Sequence, residues 1–98
     1  MLSAKQRSVL KSMAQKLTPV FQIGKNGVIP SLTEAVDSYL EVHELAKISV
    51  LDNCEIGPKD AAEQLAGRCR AQVVQVIGRK IVLYRESKEA KKIVLPKL

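Results

Sequence analysis

The residues with the most chemical character are Gly24-Lys25-Asn26-Gly27, a tetrad bracketed by glycines. Glycine admits positive φ and removes side chains that would hold a phosphodiester backbone away from the chain. Between the glycines, Lys25 offers a mobile positive charge and Asn26 a neutral donor. A helix starting just beyond the tetrad would add unpaired N–H groups and the positive end of its dipole. The arrangement is that of a clamp for phosphate backbone. Arg79 and Lys80, with Arg68, Arg70 and Arg85, are further bases that polyanion binding could use.

Other chemistries fit less well. Neither Gly-x-x-x-x-Gly-Lys-[Ser/Thr] nor Gly-x-Gly-x-x-Gly occurs, which disfavours a mononucleotide or dinucleotide site. Glu34, Asp37, Glu41 and Glu44 recur at helical spacing, a pattern expected of a solvated outer face rather than a magnesium site. His43 has no nucleophile at triad spacing and is expected to be packed or to cap a helix end. Cys54 and Cys69 match no zinc spacing and are expected to be free thiols. The aromatics are Phe21, Tyr39 and Tyr84, and the first two read as buried, so stacking of several bases on a sheet is not expected. KH domains use a comparable Gly-x-x-Gly loop to clamp nucleic-acid backbone.

Composition narrows the class. Ninety-eight residues, 46% of them hydrophobic, suffice for one compact domain over 1–98 without metal or disulfide support. The net charge of +6 favours a polyanionic partner. Its distribution is uneven. Residues 1–33 carry Lys5, Arg7, Lys11, Lys16 and Lys25 and no acid, while eight of the ten acids fall between Glu34 and Glu63. Bases dominate again from Arg68 onward, so the fold is expected to present one positive and one negative side.

The elements that must hold the tetrad follow from periodicity. Ser3 with Gln6 forms a capping box, and Leu10, Met13, Ala14 and Leu17 make the apolar stripe of a first helix ended by Thr18-Pro19. Val20 to Ile23 reads as a short strand. After the tetrad, Pro30 opens a second helix whose stripe is Leu32, Val36, Tyr39, Leu40 and His43. Ala46 to Leu51 is a second strand, and 59–70 a third helix with Ala61, Ala62, Leu65, Ala66 and Cys69 inward. Gln72 to Ile77 and Ile81 to Arg85 flank Gly78-Arg79-Lys80 as a hairpin, and Ile93 to Pro96 reads as a terminal edge segment. The class is α/β (α+β), in the order α-β-α-β-α-β-β. Right-handed crossovers place the strands they join parallel in a mixed four-stranded sheet with packed helices.

Four separated segments together resemble the CRM domain (chloroplast RNA splicing and ribosome maturation). They are the Leu-Ser-Ala-Lys-Gln-Arg opening, Gln22 to Gly27, His43 to Ile48, and Val73 to Arg79 with Ile81 to Arg85. The whole chain is similar to the stand-alone bacterial members of the YhbY type. The resemblance implies an RNA-binding domain similar in layout to the C-terminal domain of translation initiation factor three. It also implies association with large-subunit ribosomal RNA or a pre-ribosomal particle. The family's Gly-x-x-Gly loop falls on Gly24, Lys25, Asn26 and Gly27, and Lys47, Arg79 and Arg85 lie within matching motifs. Ala46 departs from the bulkier aliphatic residue frequent at its position in the family.

Motifs and resemblance give one expectation: a non-catalytic, cytoplasmic, monomeric RNA-binding protein that takes structured RNA, with no cofactor, metal, membrane or small-molecule substrate. The alternative is a protein–protein adaptor whose basic surface only steers encounter.

Overall fold

Ser3 and Gln6 close the capping box. The Ser3 hydroxyl accepts the Gln6 N–H and the Gln6 side-chain oxygen accepts the Ser3 N–H, both at 3.1 Å. The computed structural model, which describes residues 2–89 and 91–96, thereby starts helix α1 at Ala4 and carries it to Ala14. The helix is shorter than the periodicity predicts. Met13 and Leu17, expected on its buried stripe, are 39% and 38% exposed, because the chain tightens after Ala14 and leaves only Leu10 and Ala14 fully buried.

Strand β1 (Phe21–Ile23) runs into the tetrad, and helix α2 (Pro30–His43) follows it. Strand β2 (Leu45–Val50), helix α3 (Pro58–Cys69) and the hairpin strands β3 (Gln72–Ile77) and β4 (Lys80–Tyr84) complete the order. Both α2 and α3 begin with proline, where the missing N–H costs nothing. Both end on a non-glycine left-handed residue, Glu44 (φ 66°) and Arg70 (φ 56°). The hairpin turns on Gly78, at φ 55°, and Arg79.

The sheet order is β1-β2-β4-β3. Strand β1 pairs parallel with β2, in register Phe21↔Ile48, and β4 is antiparallel to both β2 and β3. Strand β3 is thus parallel to β2, as its crossover predicts, but β4 lies between them. A register shift between Val73 and Gln75 leaves Val74 as an extra residue in β3. Arg7 reaches both carbonyls there, those of Val73 and Val74, and holds α1 to the bulge.

Alternation along the strands gives the sheet two covered faces. Ile48, Val50, Ile81 and Leu83 face α2 and α3, meeting Val36, Leu40 and Leu65 in the larger core. Leu45, Val82 and Tyr84 face α1, with Leu10, Ala14 and Val74. Each fully buried aliphatic side chain contributes about 1.5–3 kcal/mol. Residues 93–96 form no edge strand, contrary to expectation. Ile93 instead plugs the α1 side, and the Pro96 carbonyl accepts the Gln6 amide at 2.8 Å.

Candidate nucleic-acid interface

Parallel pairing with β2 brings β1 to its end at Ile23, where the Leu51 N–H donates to the Ile23 carbonyl at 2.9 Å. The tetrad then turns the chain: the Gly27 N–H donates to the Gly24 carbonyl at 3.0 Å, leaving Lys25 and Asn26 exposed at the apex. Gly27 stands at φ +70°, where a side chain is strained. Gly24 does not use positive φ, so the conformational half of its predicted role fails. A Cβ there would meet nothing closer than Leu51 Cδ1 at 3.8 Å.

Val28 is buried as an anchor behind the turn, and Arg68 of α3 donates to its carbonyl at 2.6 Å. This fixes the approach to α2. Ile29 is the N-cap and gives no side-chain hydrogen bond, so the N–H groups of Ser31 and Leu32 lack a side-chain cap. Gln22, the turn, Ile29, Ser31 and Leu32 line a cleft of about 370 Å³ between the turn and the helix start. A second depression on the other side of the turn, of about 350 Å³, is lined by Glu55 and Gln64. Its carboxylate makes it the less favourable of the two for an anion.

The structure separates the flanking bases that the sequence groups together. Arg79 lies at the same end of the sheet as the turn, since β1, β2 and the β3–β4 hairpin tip all finish there. Its guanidinium holds the end of β2, donating to the carbonyls of Val50 (2.8 Å) and Leu51 (2.6 Å), and pairs with Asp52 at 3.1 Å. Lys47 sits on the α1 face, its ammonium 3.4 Å from the carbonyls of Ala14 and Leu17, where it caps the helix end. Arg85 lies at the opposite end of β4. Its side chain is 17% exposed and engaged by the Asp37 and Glu41 carboxylates and the carbonyls of Asp37 and Cys69. Lys80, beside the hairpin turn, is exposed and has no ion pair among the described residues. Its place directly after Gly78-Arg79 is the signal that singles it out.

The expected acidic outer face holds only in part: Glu34 and Asp37 are exposed and Glu41 half-buried, but Glu44, just beyond α2, is not. Asp37 and Glu41 pair with Arg85, and Glu44 is wholly buried. Together with the Arg79–Asp52 pair, these contacts cross the sequence's acidic and basic blocks and locally cancel their separation. Glu44 accepts the backbone N–H groups of Ser87 (2.7 Å), Lys92 (2.5 Å) and Ile93 (2.8 Å). Burial pushes its carboxyl up, but these three donors outweigh burial and hold it below its ordinary 4.5. Cys54 and Cys69 are free, with Cys69 buried.

The ring assignments also reverse. Tyr84 is the buried aromatic, whereas Phe21 and Tyr39 are half-buried. His43 is exposed and stacks on Tyr39.

The family model of the CRS1/YhbY (CRM) domain matches residues 2–85. The chain belongs to this family. It is 51% identical over 96 residues to "Probable RNA-binding protein YqeI" of Bacillus subtilis, covering 98% of this chain and all of that one. It is 36% identical to an RNA-binding protein of Haemophilus influenzae, over 92% of this chain and 91% of that one. The solution structure of hypothetical protein SAV1595 from Staphylococcus aureus superposes with a TM-score of 0.82 at 47% identity. It covers 98% of this chain and 100% of that one. The Gly24–Gly27 turn, with Lys25 and Asn26 exposed, lies between β1 and α2 within the matched residues. No helix among the described residues is long and apolar enough to cross a membrane.

Proposed function

We propose that this CRM protein is a non-catalytic, cytoplasmic RNA-binding protein, acting as a monomer in ribosome assembly on large-subunit ribosomal RNA precursors. The observation that carries the reading is the exposed Lys25-Asn26 apex set against the uncapped start of α2 across one cleft. Backbone N–H groups, an amide and a mobile ammonium converge there on a space open enough for a phosphodiester. The names of the relatives in Bacillus and Haemophilus support RNA as the partner class. The family resemblance supports the ribosomal target.

In this reading Gly24, Lys25, Asn26 and Gly27 form the contact, and Arg79 and Lys80 extend it at the same end of the sheet. Lys47 and Arg85 act indirectly, by holding the elements that present the turn. The test is crosslinking of protein to RNA in growing cells with sequencing of the bound fragments, comparing wild type with Lys25→Asp/Asn26→Asp. Reads concentrated at a few large-subunit ribosomal RNA sites, and lost in the variant, are expected. Diffuse reads indifferent to the variant would refute both target and clamp.

A further inference from the structure

The turn accounts for one end of α2; the other end carries a feature that phosphate binding does not use. Phe21 of β1 meets Tyr39 of α2 edge-on, at 5.5 Å between ring centroids and 86° between planes. One helical turn later His43 lies over the Tyr39 ring at 4.2 Å and 32°. Tyr39 is thus braced from the sheet and in turn supports the imidazole. His43 is exposed, and neither ring nitrogen has a hydrogen-bond partner among the described residues. One face of the ring is covered by Tyr39 and the other has no ring partner.

The position of this pair on α2 connects it to the cleft. At about 100° per residue, Leu32, Tyr39 and His43 lie within roughly 40° of one another on the flank nearest β1. Leu32 lines the cleft beside the turn, and Phe21 precedes the cleft residue Gln22. The acids Glu34, Asp37 and Glu41 project roughly 140–180° away from that flank. They line the separate groove toward Arg68 and Arg85. The exposed residues between the two flanks, Ser31, Ala35, Ser38 and Val42, carry no charge. A polyanion leaving the turn along the β1 flank of α2 meets no carboxylate on that helix. On the reverse flank it would meet Glu34, Asp37 and Glu41, in a groove that Arg68, Arg70, Arg85 and Lys88 also line.

We infer that the Tyr39–His43 pair is a nucleobase platform, on which an unpaired base of the RNA held at the Gly24–Gly27 turn stacks against the open face of His43. From Leu32 to His43 the helix rises about 16 Å, a span of about five nucleotides at a helical spacing near 3.4 Å each. The RNA element is therefore a loop, bulge or end next to the clamped backbone, since a base inside a duplex presents no free face. The inference rests on the RNA-binding reading of the turn.

The test uses a stem-loop RNA with a single-stranded loop of about ten nucleotides, within the footprint of such surfaces. It carries 2-aminopurine at one loop position at a time. Wild type should quench fluorescence at one position. His43→Ala should remove that quenching and weaken binding about tenfold, with no change in thermal midpoint because the side chain is exposed. His43→Phe, which keeps a ring and loses the nitrogens, should restore both. Equal affinity and equal fluorescence for wild type and His43→Ala overturn the platform. The turn reading then stands if Lys25→Asp/Asn26→Asp still loses binding, and falls separately if it does not.

Discussion

Replacing Glu44 by glutamine tests whether one buried carboxylate holds the chain after β4. In the native structure one carboxylate oxygen accepts from Lys92 and Ile93 and the other from Ser87. Glutamine keeps a single acceptor oxygen. Oriented to serve Lys92 and Ile93, its NH₂ faces the Ser87 N–H, and one buried donor is orphaned at a cost of about 1–3 kcal/mol. The two remaining bonds lose a charged acceptor, about 1 kcal/mol each. The sum is about 3–5 kcal/mol, a large share of the roughly 5–15 kcal/mol that stabilises a domain of this kind. The alternative open to the variant is to release the segment that follows β4, which exposes Ile93 at about 1.5–3 kcal/mol and breaks the Gln6–Pro96 bond. Urea denaturation followed by circular dichroism should show the midpoint fall, and amide exchange should accelerate at Ser87, Lys92 and Ile93 before β2. An unmoved midpoint with those three amides still protected would refute the assignment.

The same groups set an acid limit. Glu44 and Glu41 both titrate below their ordinary 4.5 in the folded state. For Glu41 the leading cause is the Ser87 hydroxyl, which donates to it at 2.6 Å, joined by backbone N–H groups and Arg85. A depressed carboxyl stabilises the fold above the unfolded value. That stabilisation is lost as pH falls through the folded values, because the unfolded chain takes up protons first. Stability should therefore decline below about pH 4.5, and the slope should be shallower in Glu44→Gln.

Four further outcomes follow from the geometry. Arg70→Gly relieves a left-handed cap at φ 56° and should raise stability by about 1 kcal/mol in urea titrations. Gly27→Ala, at φ +70°, should cost about 1 kcal/mol, whereas Gly24→Ala, with 3.8 Å of clearance, should leave the thermal midpoint within error. Arg85→Met removes the donors that Asp37 and Cys69 share and should destabilise by about 2–4 kcal/mol; an RNA affinity lost without any stability loss would contradict its structural role. Lys25→Asp/Asn26→Asp should keep the wild-type midpoint and lower the dependence of log affinity on log salt by about one phosphate contact, measured by fluorescence anisotropy across a salt series.

What the sequence disclosed, and what it withheld, divides along the reach of the forces involved. Capping at Ser3, the proline start of α2, the inward face of α3 and the glycine hairpin are local, decided within one turn of chain, and each is legible. The tetrad belongs with them, since a turn between a strand and a helix is also written locally. The partners of charged side chains are not. Arg85 meets Asp37 and Glu41 across more than forty residues, and Glu44 meets Ile93 across 49. Helical spacing alone put Glu44 in the same class as Glu34, because nothing near it in sequence distinguishes a solvated carboxylate from one with three backbone donors. The error runs the same way for the bases. Counting charge treats Lys47, Arg79, Lys80 and Arg85 alike, yet in the fold Lys47 caps a helix, Arg79 clasps a strand end and Arg85 is sequestered by two carboxylates. For a surface that binds polyanions the relevant quantity is the charge left after internal pairing: among the described residues Lys25 and Lys80 are exposed with no ion pair, while Arg79 shares its guanidinium with Asp52 and the end of β2.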